Sequence, residues 1–146
     1  MIRYTAENKI TIIIPSKLLD LNLKYCIKKI RHFYKKIKII IILDEFQKKK
    51  LGKNITTITS GSKTIAFKRN LGVKFAKTPM VSFIDSDVYP GNKWLNFILD
   101  SFNRNKNISI VGGPNVSPST SNIEKKLVAN IKKKFFVTLD PKIKNK

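Results

Sequence analysis

Residues 80–90 read MVSFIDSDVYP, and the rest of the chain is read outward from them. A short apolar run, Met80, Val81, Phe83 and Ile84, stops at Asp85-Ser86-Asp87. The run has the length of a buried strand. Two carboxylates just past such a strand are costly unless a cation meets them. At a strand's carboxyl end the obvious candidate is a divalent metal carrying a phosphorylated ligand. Asp-Ser-Asp is equally ordinary chemistry for a solvated turn, so the surrounding chain has to decide.

Upstream, residues 9–14 (KITIII) predict a buried strand closed by Pro15-Ser16. Residues 17–34 predict a helix with Leu19, Leu23, Cys26, Ile27, Ile30 and Phe33 on one face and lysines on the other. Residues 37–43 predict a second strand, almost continuous in isoleucine, as expected where both sheet faces are covered. It too ends in acids, Asp44-Glu45. A basic loop containing Gly52 leads to a short strand at 55–58. A helix is then predicted at 63–77, with Ile65, Ala66, Leu71, Val73 and Phe75 as its apolar side. Lys68-Arg69-Asn70 sits on that helix, where Lys68 reads as part of a solvated face, the alternative being that Lys68 and Arg69 add positive charge near a ligand's phosphates.

The third long strand is 80–84. Beyond it, Pro90-Gly91-Asn92 opens a helix at 93–102, and 108–111 predicts another strand, closed by Gly112-Gly113-Pro114. This alternation predicts an α/β fold, a mostly parallel sheet with helices on both faces. Ligands of such sheets lie beyond the carboxyl ends of the strands. Asp44, Asp85 and Asp87 are therefore expected to converge on one crevice. Residues 123–139 predict a basic amphipathic helix, which either packs on the sheet or lies on an anionic membrane surface. The expected division is an α/β domain at 1–121 and a basic helix and tail at 122–146.

The composition fits one domain with a true core: 146 residues, 42% of them apolar. The single cysteine, Cys26, excludes an internal disulfide, fits a reducing compartment, and reads as a buried structural thiol. The one histidine, His32, has no Cys or His partner at ligand spacing and reads as structural. No apolar run reaches membrane-span length, and residues 1–8 make a poor signal peptide. A cytoplasmic protein, at most peripheral on the cytoplasmic face of the membrane, is expected. Thirty basic residues against nine acidic give a net charge of +21, which makes nucleic acid and anionic membranes the partner classes to weigh. Only Arg3, Arg31, Arg69 and Arg104 are arginines, and no zinc-finger, RNP or basic-zipper pattern occurs, which disfavours nucleic acid. Neither GxGxxG nor GxxxxGK[ST] is present.

Taken in order across 10–119, the segments ITIIIPSK, IKIIIILDEF, FKRNLGVKFAKTP, VSFIDSDVYPGNKWL and IVGGPNVSPS resemble the family-2 glycosyltransferases of GT-A fold. The most specific part is Arg-Asn-x-Gly-x-x-x-Ala, followed by a strand ending in Asp-x-Asp, then Pro and Trp-Leu. The resemblance implies a Rossmann-like domain that binds a nucleotide-diphosphate sugar. It further implies transfer with inversion to a saccharide or lipid-linked acceptor, in cell-envelope or surface polysaccharide synthesis. By the same resemblance, Pro15 and Ser16 lie near the base, and Asp44 reaches the base or ribose. Arg69 and Asn70 line the donor pocket. Asp85 and Asp87 handle ribose and a Mn²⁺ or Mg²⁺ ion, Asp87 being the closer metal ligand.

The sequence departs from the family pattern in two places. Lys17-Leu18 stands where an aromatic residue and Asn often follow. Inverting transfer also needs a general base for the acceptor hydroxyl, and no acidic residue occupies the matching downstream context. Asp100 falls in a helix between strands, Glu124 in the basic helix and Asp140 in the tail. The expectation is the donor-binding half of such an enzyme, cut off where the acceptor half begins: a fragment, a split gene product whose acceptor half comes from a partner chain, or a degraded copy. The competing expectation is a non-enzymatic basic module on nucleic acid or an anionic membrane.

Overall fold

The computed structural model describes residues 6–88, 90–105 and 107–113. Its elements are α1 (Ala6–Lys9), β1 (Ile10–Pro15), α2 (Leu21–Phe33), β2 (Lys38–Leu43), β3 (Ile55–Thr59), α3 (Ile65–Phe75), β4 (Met80–Phe83) and α4 (Trp94–Arg104). The chain divides into two compact units, Met1–Leu99 and Asp100–Lys146, and the sheet lies in the first. The predicted helix at 123–139 and the boundary at 121 lie outside the described residues.

All four strands are parallel, in the order β3-β2-β1-β4. Register sorts the isoleucines onto two faces. Ile12 stands opposite Ile39 and Ile14 opposite Ile41, and all four join Leu23, Cys26 and Ile30 of α2 and Leu95 of α4 in one core cluster. Ile13, Ile40 and Ile42 point the other way, toward Leu71 and Ala76. Helices thus cover both faces, as the unbroken apolar strands predict. The route from β1 through α2 to β2 runs outward on one face. The route from β3 through α3 to β4 returns over the other, so the direction of winding reverses between β1 and β4.

Side-chain caps set the helix limits. Asp20 accepts the Leu23 N–H at 2.8 Å, which starts α2 at Leu21 rather than at 17. Thr64 accepts the Phe67 N–H at 3.2 Å and starts α3. At the far end of α2, Arg31 donates to the carbonyls of Tyr34 (3.2 Å), Ile37 (2.7 Å) and Lys53 (3.0 Å), tying the helix end to the approaches of β2 and β3. The buried Tyr34 hydroxyl accepts the Leu95 N–H at 3.2 Å and donates to the Asn92 carbonyl at 2.9 Å, which anchors the start of α4.

Three expectations need correction. Residues 108–111 form no strand and find no ladder partner among the described residues, and Ile110 is 87% exposed. β4 is half-buried rather than buried, since its only strand neighbour among the described residues is β1. The inner side of α3 is also not the one its apolar residues suggested. Lys68 and Gly72 are buried, while Ile65, Val73 and Phe75 are exposed. Close approach to the sheet decides the phase: a Cβ on Gly72 would lie 2.5 Å from Ile13 Cγ2 and 2.9 Å from Ile42 Cδ1. Only glycine fits there.

Gly72→Ala should therefore destabilise the protein. The methyl group gains about 1 kcal/mol of helix propensity, but overpacking between α3 and the sheet costs about 1–3 kcal/mol. A lower urea midpoint at unchanged slope is expected. An unchanged or raised midpoint would mean that α3 does not need this close seat.

Candidate functional site

The carboxyl ends of β1 and β4 and the starts of α2 and α3 border a cleft of about 390 Å³, lined by Pro15, Ser16, Lys17, Asn22, Ile65, Arg69, Asp85, Ser86 and Asp87. It lies where the winding of the sheet reverses, the place where open α/β sheets bind ligands. Pro15 ends a central strand without losing a hydrogen bond. Ser16 N–H donates to Ile42 O at 2.9 Å on the β2 side, and Ile84 N–H donates to Ile13 O at 3.2 Å on the β4 side. The position of the missing Pro15 N–H falls past the last β4 rung.

Asp85-Ser86-Asp87 is a turn as well as a cleft wall, closed by Val88 N–H to Asp85 O at 3.1 Å. The Arg69 guanidinium meets Asp85 Oδ1 at 2.7 Å, with the two side chains 38% and 55% exposed. At that exposure the pair contributes about 0–1 kcal/mol, so its role is orientation more than stability. Arg69 Nε is buried and has no hydrogen-bond partner among the described residues, which leaves the guanidinium with a donor to spare. Beneath this wall the Cys26 thiol makes a weak, long contact with Asp85 O at 3.9 Å.

Lys68, the residue beside Arg69, is 2% exposed, contrary to the solvated face expected of it. Its Nζ donates to the Ser16 carbonyl at 2.6 Å and forms an ion pair with Asp44 Oδ1. Asp44, 14% exposed, also donates its N–H to Lys17 O at 3.1 Å. Asp44 is thus bound to the loop after β1 and does not line the cleft with Asp85 and Asp87. Of the residues singled out in the sequence, Pro15, Ser16, Arg69, Asp85 and Asp87 come together in the cleft wall. Asn70 is exposed and outside it. Lys17, Asn22, Ile65 and Ser86 were missed as lining residues. Lys68 was missed as the link between two strand ends, although its four-residue spacing to Gly72 and Ala76 marks the narrow inner stripe of α3.

The donor set bears on metal binding. Among the described residues no group of three or more His, Cys, Asp or Glu side chains is placed to hold an ion. Asp85 and Asp87 supply hard oxygen, the ligand type Mg²⁺ and Mn²⁺ take. Two carboxylates suit an ion whose remaining ligands are water and the oxygens of a bound phosphorylated ligand. The residues present fit that kind of site and not a closed protein cage. Among the described residues no helix is long and apolar enough to cross a membrane.

The sequence model of the family described as Glycosyl transferase family 2 matches residues 11–145. Comparison with curated proteins gives no match. Among solved structures, the chain is similar to the crystal structure of S. aureus TarS, with a TM-score of 0.54 and 16% identity over 66% of this chain and 20% of that one. It is also similar to a crystal structure of S. aureus TarS 1–349, with a TM-score of 0.49 and 16% identity over 73% of this chain and 39% of that one. The first likeness establishes an α/β fold shared with TarS, of which this chain spans a fifth of the length.

Burial, and secondarily the Asp87 charge, push the Cys26 thiol up to about 12. The folded protein should resist a thiol reagent at pH 8 and react once unfolded in urea. Because the raised group deprotonates more readily in the unfolded chain, its contribution to stability is complete below about pH 9 and falls away toward pH 12. Fast labelling of the native protein at pH 8 would contradict this placement of Cys26.

Proposed function

The chain belongs to glycosyl transferase family 2, and we propose that its cleft binds a nucleoside-diphosphate sugar for transfer to a saccharide or lipid-linked acceptor. One observation carries this reading above the others. Arg69, Asp85, Asp87 and the Pro15-Ser16 loop line a single cleft at the reversal point of the sheet. That wall joins a guanidinium with a spare donor to two carboxylates, which suits a diphosphate and its counter-ion.

In this reading Asp85 and Asp87 hold Mn²⁺ or Mg²⁺, with Asp87 the freer of the two because Arg69 already engages Asp85. A bound divalent ion offsets the negative charge that builds on a departing nucleoside diphosphate. Arg69 orients Asp85 and offers its remaining donors to the phosphates. The Pro15-Ser16 loop faces the nucleoside. The family chemistry inverts the sugar carbon, and the base for the acceptor hydroxyl is assigned to polypeptide outside the described residues, in this chain or in a partner. A role in envelope or surface polysaccharide synthesis, on the cytoplasmic face of a membrane, accords with the basic charge of +21. The division into a donor domain at 1–121 and a basic helix and tail at 122–146 belongs to the same proposal.

A thermal-shift screen with UDP-, GDP- and dTDP-sugars, each with and without Mn²⁺, tests the donor site. Stabilisation should require nucleotide and metal together, since only ligands that prefer the native state raise its stability. Asp87→Ala should abolish the metal-dependent part and leave the unliganded melting temperature nearly unchanged. No shift with any pair, in a folded sample, would remove the reading. Binding to polyanions that decays with salt and ignores Asp85 and Asp87 would replace it with that of a basic binding module.

A further inference from the structure

In the unit Met1–Leu99 the two most exposed large apolar side chains among the described residues are Leu21 and Phe46, at 81% and 77%. Leu18, at 50%, stands just before them in the loop after β1. All three share one edge of the sheet. Leu18 follows β1 and Leu21 opens α2, whereas Phe46 follows β2, the parallel neighbour of β1. Backbone bonds tie the two loops together: Asp44 N–H donates to Lys17 O at 3.1 Å, and Ser16 N–H to Ile42 O at 2.9 Å. Leu18 and Leu21 each adjoin a cleft residue in sequence, Lys17 and Asn22, so the apolar group lies on the rim of the cleft. Leu19 packs against the core cluster, whereas Leu18, Leu21 and Phe46 belong to neither cluster. Beside them in sequence stand exposed Lys17, Lys24, Lys48, Lys49 and Lys50, against the exposed acids Asp20 and Glu45. An apolar group exposed in this way, rimmed by like charges, marks an interaction surface.

We propose that this rim is a docking surface for an anionic lipid bilayer, with Leu18, Leu21 and Phe46 entering the interface and the lysines meeting the headgroups. Charge selects the occupant. A second copy of the chain, at +21, would bring like charge to the patch, and so would residues 114–146, themselves lysine-rich. A nucleic acid would answer the lysines but bury neither leucine, and the patch holds no arginine to read bases. A bilayer answers both features. Its acyl boundary takes the apolar tips, and its anionic headgroups attract each nearby lysine. The lysine stems can lie along apolar surface while their ammonium groups stay among the headgroups. Docking in this way brings the cleft rim to the membrane surface, where a lipid-linked acceptor presents its reactive end. The surface deepens the membrane role proposed above, and it stands on exposure and charge rather than on what the cleft binds.

Co-sedimentation of the full chain with vesicles tests the surface. Vesicles of phosphatidylcholine mixed with phosphatidylglycerol should bind the protein, and vesicles of phosphatidylcholine alone should bind it far less. Leu21→Ser and Phe46→Ser should each weaken binding to the mixed vesicles about tenfold, the scale of burying one such side chain. Replacing Lys48, Lys49 and Lys50 together by alanine should weaken it about a hundredfold. All five positions are exposed, so the melting temperatures should stay at the wild-type value. Phe97, 65% exposed on α4 and outside the patch, supplies the control, and Phe97→Ser should bind like wild type. No binding to the mixed vesicles, binding that Leu21→Ser and Phe46→Ser leave intact, or an equal loss in Phe97→Ser would each overturn the surface. So would tighter binding to duplex or single-stranded DNA than to vesicles, lost only in the lysine variant, which would assign the lysines to nucleic acid. Vesicle binding in the expected pattern supports the surface even where the wild type gives no nucleotide-dependent thermal shift, the outcome that fells the donor reading alone.

Discussion

A buried charge must be answered where it lies, and in this protein the answer holds the strand ends together. Lys68 projects from α3 into a place with almost no solvent, where Asp44 and the Ser16 carbonyl meet its ammonium group. The next residue, Arg69, leaves the helix about 100° further round and meets Asp85 instead. Two consecutive residues thus reach the ends of three strands, β1 and β2 through Lys68 and β4 through Arg69. This works only because α3 lies close to the sheet, and Gly72 permits that approach by presenting no Cβ to Ile13 and Ile42. Removing one partner of a buried pair leaves the other uncompensated, which ties the cleft's geometry to the fold's stability.

Much of the fold was legible because isoleucine is so dense in β1 and β2. Runs such as ITIII and IIIIL allow only strands covered on both faces, and the parallel order follows from the alternation with helices. The phase of α3 was not legible from apolar periodicity. Ile65, Val73 and Phe75 point outward, because a helix that must sit very close puts its small residues inward. The better signal was the four-residue step from Gly72 to Ala76, with Lys68 one step earlier. The strand expected at 108–111 shows the opposite failure. A β-branched run reads as a strand wherever it stands, but a strand needs a ladder partner, and none occurs among the described residues.

The site was legible in part for a related reason. Asp85 and Asp87 were found because strand ends in an α/β sheet converge, and that holds whatever the side-chain rotamers, whereas Arg69 and the Pro15-Ser16 loop were implied by the family resemblance. Asp44 belongs to the same set by topology, yet its carboxylate turns to Lys68. No sequence pattern announces a pair formed between residues 44 and 68. Carboxylates past a buried strand would demand a cation, but Asp85 and Asp87 do not follow one. β4 is half-buried and Asp85 is 55% exposed, so water already solvates these groups. Their proximity to Arg69 in a shared cleft is now the stronger reason to read them as a site.

The cleft therefore has one wall set by burial and another set by exposure, and the two suit different tasks. Around Lys68 and Asp44 every bond lies in or beside the core, so the Ser16-Lys17 loop has little freedom. Discrimination among ligands needs such fixed groups, because a misplaced partner leaves a buried polar atom unpaired. Around Asp85 and Asp87 the carboxylates sit on an exposed turn, with a single ion pair that contributes about 0–1 kcal/mol. On the proposed reading, such groups can reorient cheaply as an ion and a diphosphate arrive and leave. A site rigid at both ends would hold its product as firmly as its substrate. One rigid at neither end would lack selectivity, so this division between the walls accords with the proposed binding of a nucleotide donor.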